Sequence, residues 1–309
     1  CAVADTPVVA SLAIPATPDT SASDWSTPPR RALQLLWRDR AGRVALGFLA
    51  LLAGGALLAP WLAPYDPARV LDAVALRAVP PSAAHWFGTD ETSRDVFSRM
   101  LYGARISLAV AALSALWSSL VGLVYGGIAG FVGGRLEGAM MRFVDAMLAI
   151  PRILLVMTIL SLWGEIDAST LVAVLGGTGW FSVARLARAE AAALRHRDFV
   201  VAVQALGAEP ARVFVRHVLP HAAGPVLVAA TIAVGQVVVL EAGLSFLGYG
   251  VRPPTPTWGN IISDGRSTIA TTWWLTFFPG LALIGTALAV NTVADRLRAA
   301  LNPRQLPAP

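Results

Sequence analysis

Six long apolar stretches divide the chain. Val44–Tyr65 carries no charge between Arg43 and Asp66, and Ile106–Gly134 carries none. A third, about 138–163, is interrupted by Asp145 and Arg152. The fourth, about 168–188, is uncharged from Ala168 to Ala184; the fifth, about 222–247, holds only Glu241; Ser267–Ala294 is the sixth. Each reaches the roughly 20 residues that cross about 30 Å of hydrocarbon at 1.5 Å per residue. The runs are continuous rather than alternating, which predicts helices and not barrel strands. The expected fold is an all-α integral membrane protein with a six-helix transmembrane bundle.

Composition agrees. Of 309 residues, 56% are hydrophobic and 14% charged, against about a quarter charged in soluble domains. The 24 basic residues are all arginine. A chain without lysine has no ordinary phosphate-binding P-loop and no Schiff-base lysine. The net charge of +5 fits an arginine excess in cytoplasmic loops, so nucleic acid is not expected as a partner. The one cysteine, Cys1, permits neither an internal disulfide nor a thiolate metal cluster.

Arginines set the orientation. Five (Arg30, Arg31, Arg38, Arg40, Arg43) precede the first span, Arg135 and Arg142 lie between spans two and three, and six (Arg185 to Arg216) follow span four. With Arg296, Arg298 and Arg304 at the end, this predicts both termini on the cytoplasmic side. The organisation reads as a disordered tail (1–29), a cytoplasmic basic segment with the first span (30–65) and an extracytoplasmic segment (66–105). A core with five spans (106–298) and a cytoplasmic tail (299–309) follow. In the third segment a helix is expected after Thr89, capped by Thr89 or Asp90, with Glu91 in its first turn. Three prolines exclude a spanning helix over Pro253–Asn260, and Trp258, Trp273 and Trp274 are expected as interface anchors.

Residues 198–221 are the most informative stretch. Phe199, Ala202, Val203 and Leu206 share a helical face that stops at Gly207, and Glu209-Pro210 suits the first turn of a second short helix. Val213, Phe214 and Val218 give that helix an apolar side, and Pro220 ends it. Within the spans, Asp145, Arg152 and Glu241 should face the bundle interior and pair between helices. An unpaired arginine at depth costs at least about 3 kcal/mol, so Arg152 needs an acid or a polar surrounding. Helix rise puts Glu241, or a polar pathway, ahead of Asp145 as its partner. The four histidines have no metal-ligand spacing, and no catalytic constellation emerges.

The spacing Ala202-x4-Gly207-x11-Leu219-Pro220 resembles the EAA loop of permease subunits of binding-protein-dependent ABC importers. The wider chain resembles the dipeptide/oligopeptide permease family, specifically the second permease of its pair. The match runs through Leu62–Asp66, His85–Asp90, Arg94-Asp95, Ser98–Arg105, Arg142–Asp145, Pro151, Arg216–Pro220, Leu240–Gly248 and Pro253–Asn260. Val201 and Val203 depart from it, standing where the general motif has Glu and Ala, as does His221, where the family often has Asn. The resemblance implies a type I importer permease that is not itself an enzyme and binds no cofactor. ATP and Mg would sit on two separate ATPase subunits. A second homologous permease, an extracytoplasmic peptide-binding protein and membrane lipid complete the partners, in a bacterial cytoplasmic (inner) membrane. It implies an ATPase-coupling loop of Ala202, Leu206, Gly207, Ala208, Arg212, Arg216, His217, Leu219 and Pro220. Gly88, Thr89, Asp90, Arg94 and Asp95 become candidates for docking the binding protein. Nickel or another metal chelate as cargo, and a self-contained secondary transporter, are the competing readings.

Overall fold

A computed structural model describes residues 36–37 and 39–301. The expected tail 1–29, and residues 302–309 of the expected C-terminal tail, lie outside them. Among the described residues the elements are helical: α1 (Arg40–Leu57), α2 (Ala59–Leu62), α3 (Val96–Val132), α4 (Gly134–Leu148), α5 (Arg152–Ser161) and α6 (Ala168–Leu194). Then come α7 (Asp198–Ala205), α8 (Pro210–Val213), a π turn (Phe214–Val218), α9 (Leu219–Phe246), α10 (Trp258–Asp264) and α11 (Trp274–Leu301). Among the described residues five stretches are long and apolar enough to cross a membrane: α1, α3, α6, the run from Pro210 to Phe246, and α11. The bent pair α4–α5 makes a sixth only if counted as one span.

Leu51, Trp61, Leu113, Leu120, Ile284 and Leu288 are each more than half exposed. In water such faces would be a liability; against lipid they need no cover. The interior instead collects small and polar residues. Along α3, Ser114, Ser118, Gly122, Gly126 and Gly130 recur every four residues and face α6. A Cβ at Gly122 would stand 2.6 Å from the Val183 Cβ, and at Gly126 or Gly130 it would overlap the carbonyl oxygens of Ala184 or Arg188. The absent side chains let the two backbones touch, the usual way apolar helices associate in a membrane.

The bundle has two ends. At the capped end, residues 59–95 fold over the starts of α3 and α11, and the amide of Arg252 donates to the Ile166 carbonyl (3.2 Å). At the loop end, α7, α8 and the π turn pack on the ends of α3 and α6, and Arg296 of α11 pairs with Asp39 before α1 (2.5 Å).

Three expectations change. The third span is an L: α4 and α5 meet at 81°. Pro151 supplies no amide to continue the α4 ladder, and the chain restarts as a helix of ten residues. At 1.5 Å per residue α5 covers about 15 Å, half the hydrocarbon thickness. Helix α3 starts at Val96, not after Thr89, and runs through the expected 105/106 boundary. Asp90 is withheld from capping it, because its carboxylate accepts the amides of Thr92 (2.8 Å) and Arg94 (2.9 Å) in a closed turn; Asp95 caps α3 through the Ser98 amide (2.8 Å). Trp258 and Trp274 are buried, donating to the carbonyls of Met100 (3.2 Å) and Thr89 (3.0 Å). Of these three, Trp273, 47% exposed, alone suits an interface anchor.

Candidate functional site

The loop element is two short helices around one glycine. Helix α7 ends in a Schellman arrangement: the Gly207 amide donates to Gln204 (2.9 Å) and the Ala208 amide to Val203 (3.3 Å). This requires a left-handed residue after the cap, and Gly207 has φ +83°. Glycine takes that conformation without a Cβ penalty. Among the described residues no atom lies within 4 Å of where its Cβ would be, so the site faces outward.

The inward face differs from the expected one. Val200, Val213 and Val218 are fully buried with Ala191, and Val203, Ala208 and Phe214 pack against them. Phe199 (40% exposed) and Leu206 (87% exposed) point away, with Ala202 between them. Val213 and Val218 of the second segment therefore belong to the chain's own core, and the exposed apolar residues are Phe199, Val201, Ala202 and Leu206, with Val215 beyond the bend. Arg212 and Arg216 are exposed beside them, while His217 and Leu219 are half-buried.

Phe214–Val218 forms a π turn, closed by the Leu219 amide donating to the Phe214 carbonyl. Pro220 has no amide for the Arg216 carbonyl, and a widened turn accommodates its ring. The His221 ring Nδ1 sits 2.6 Å from the His217 carbonyl. Pro220 does not end the helix as expected from the sequence: the helical run continues through this turn from Pro210 to Phe246.

The three charges expected within spans separate. Asp145, on α4, pairs with Arg185 (2.5 Å), and both side chains are more than half exposed. The pair joins α4 to α6, as expected of a pair between helices, but it lies at the surface and not in the bundle interior. Glu241 is fully buried and accepts from Ser107 (3.2 Å) and Ser245 (2.9 Å), joining α9 to α3. It is not the partner of Arg152. The Arg152 guanidinium crosses to α6, where Nη2 donates to the Leu175 carbonyl (2.9 Å), and it borders a cavity of about 200 Å³. The polar-surrounding alternative is what the structure contains.

Four of the five docking candidates are buried: Gly88, Thr89, Asp90 and Asp95. Arg94 is 14% exposed. They cannot form a docking surface directly, because they hold the cap together. Asp90 Oδ2 accepts from Arg94 Nε (2.7 Å) and Arg99 Nη1 (2.5 Å), and both arginines reach Asp264 (3.1 and 2.9 Å), the last residue of α10. Burial pushes the Asp90 carboxyl up, but the Arg99 charge, the Arg94 amide and charge, and Thr92 outweigh it and hold the group below the usual carboxylate range. His85 Nδ1 lies 2.9 Å from Asp95 in a second buried pair. Neither Arg99 nor Asp264 was singled out from sequence; 165 residues separate them.

The described geometry offers an exposed apolar strip beside a bend, a polar cavity within the bundle, and an ion-paired cap. Comparison with known proteins gives these parts a context. Residues 122–306 match the family model described as binding-protein-dependent transport system inner membrane component. Residues 27–81 match the N-terminal TM domain of oligopeptide transport permease C. The chain is 36% identical over 274 residues to the dipeptide transport system permease protein of Bacillus subtilis (strain 168), covering 88% of this chain and 85% of that one. It is 37% identical over 293 residues to the di/tripeptide transport system permease protein of Pseudomonas aeruginosa (strain UCBPP-PA14), with 92% and 96% covered. To the nickel transport system permease protein of Escherichia coli (strain K12) it is 40% identical over 262 residues, with 84% and 93% covered.

Proposed function

Because this chain belongs to the family of binding-protein-dependent transport system inner membrane components, we propose that it is a permease subunit of an ATP-driven peptide importer. It is a multi-pass membrane protein and not a catalytic enzyme; a substrate-binding protein and ATPase subunits are the partners such a component serves. A self-contained secondary transporter falls with that membership. The peptide reading is carried by the match of residues 27–81 to the N-terminal TM domain of oligopeptide transport permease C. Relatives named for dipeptides and di/tripeptides, alike over most of the chain, support it. A second homologous permease would complete the pathway, and ATP and Mg would be held by the ATPase subunits.

The assignment of sides belongs to this reading. Twelve described arginines lie at the loop end, and seven at the capped end. Three of those seven, Arg77, Arg94 and Arg99, are neutralised by Glu91, Asp90 and Asp264. The positive-inside rule then puts the loop end, with both termini, on the cytoplasmic side of the inner membrane. Cysteines at Ser82, Gly164 and Pro254, all exposed at the capped end, should react with an impermeant thiol reagent applied outside whole cells. One at Leu206 should not, and its labelling from outside would reverse the orientation.

Residues 198–221 would seat on an ATPase subunit, with Phe199, Ala202 and Leu206 in its groove and Gly207 at the bend. Movement of the ATPases would then tilt α6 and α9, which this element joins. Gly207→Val would place a β-branched residue at φ +83°, straining the bend by about 1–2 kcal/mol without a clash inside the chain. Co-purification of the ATPase subunits and ATP-dependent uptake in proteoliposomes should both fall. Parental values for both would remove the coupling role. With the parental complex, ATP-driven uptake of a radiolabelled dipeptide tests the cargo. Uptake of a nickel complex in its place would exchange the substrate and leave the permease standing.

A further inference from the structure

Arg152 stands at the first position of α5, at the inner end of a helix that covers only half the membrane. Its guanidinium has five N–H groups and, among the described residues, makes one hydrogen bond, to the Leu175 carbonyl. Nε is buried with no partner. Among the described residues no acidic side chain lines the cavity it borders; the polar lining is Ser118, Ser182 and Gln236, one from each of α3, α6 and α9. Gly179 makes room for the group, since a Cβ there would stand 2.9 Å from Nη2. Among the described residues this cation has no counter-ion, and hydroxyl and amide side chains wall it near the middle of three long helices, a setting suited to an anion. Ser182 and Gln236 are exposed, so the cavity opens outward from this chain.

The cavity also leads somewhere. A larger one of about 640 Å³ shares Leu186, Ala229 and Ile232 with it and runs to Glu190, Arg197 and Arg298 at the loop end. We propose that Arg152, with Ser118, Ser182 and Gln236, forms a carboxylate-binding subsite on the translocation path. There it takes the C-terminal carboxylate of the passing peptide by a charge-assisted pair. The nature of the anion rests on the peptide reading; the anion site itself does not. A carboxylate would supply the charge that Glu241 and Asp145 leave unmatched, and one ion pair on an open cavity releases its ligand again, as a path requires.

Two measurements separate the site from its ligand. In a Cys1→Ser background, Ser182→Cys provides a thiol on the cavity wall. An anionic thiosulfonate should label it faster than a cationic one of the same size in the assembled complex. That rate ratio should fall about ten-fold when Arg152→Gln is added, and persist with Arg152→Lys. An unchanged ratio overturns the anion site. In proteoliposomes holding the complete transporter, Arg152→Gln should lower dipeptide uptake at least about ten-fold per assembled complex, with Arg152→Lys recovering most of it. Parental uptake by Arg152→Gln, or a Lys variant as poor as the Gln variant, overturns the carboxylate role. If the parental complex carries no peptide, the peptide reading fails, and the labelling ratio still decides whether Arg152 makes an anion site.

Discussion

Gly126→Ala, the addition of one methyl group, is expected to destabilise the bundle more than any other single-methyl change in α3. The new Cβ would overlap the carbonyl oxygen of Ala184, and neither atom can rotate away, because both belong to helix backbones. The only relief is to separate α3 from α6. Ser114, Ser118, Gly122 and Gly130 lie on the same face, so separation loosens the whole seam. Overpacking a rigid core costs about 1–3 kcal/mol and more where the backbone must move; a value at or above the top of that range is expected here. Gly177→Ala is the control. It sits in α6 with nothing among the described residues within 4 Å of its Cβ position, so the gain in helix propensity, up to about 1 kcal/mol, should leave it neutral or stabilised. Thermal unfolding in detergent and the yield of monodisperse protein read both. Equal midpoints for the two variants would show that the seam is not held by backbone contact.

Where the sequence was informative, the reason was periodicity. Apolar runs marked α1, α3, α6, α9 and α11 because lipid demands long uninterrupted stretches, and Gly207 marked the bend because one residue had to leave the helix. The glycine seam is equally legible in the sequence, as Gly122, Gly126 and Gly130 at four-residue spacing. Other features depend on distant partners. Val200 rather than Phe199 turns inward because Val213 and Val218 arrive from beyond the bend. Trp258 is buried because the Met100 carbonyl meets its ring N–H. Thr89, Asp90 and Asp95 look like a polar surface in sequence and form an interior in space. Their burial follows from Arg99, Asp264 and His85, which no local pattern ties to them. Arg152 shows the same limit at the cavity: depth along a helix put Glu241 within reach, but Ser107 and Ser245 satisfy that carboxylate first.

The ion-paired cap yields the second large effect. Asp90 accepts from Arg94, Arg99, Thr92 and two backbone amides, and its side chain is 1% exposed beside an Arg99 that is 3% exposed. Asp90→Asn keeps the shape but, among the described residues, leaves Arg99 buried with Asp264, itself 32% exposed, as its one anion. Removing one partner of a buried pair costs about 3–5 kcal/mol, most of it the stranded charge. Asp264→Asn should cost less, since water reaches that carboxylate. The lowered carboxyl of Asp90 also fixes a pH dependence. A group held below its unfolded value stabilises the fold fully above that value, about 4, and the contribution disappears as pH falls through the folded value. The parental protein should therefore lose stability on acidification below about pH 4, and Asp90→Asn should show a flatter profile from a lower plateau. Denaturation midpoints of both proteins from neutral to acid pH measure this. An Asp90→Asn variant as stable as the parent at neutral pH would mean that Arg94, Arg99 and Asp264 hold the cap to α10 without it.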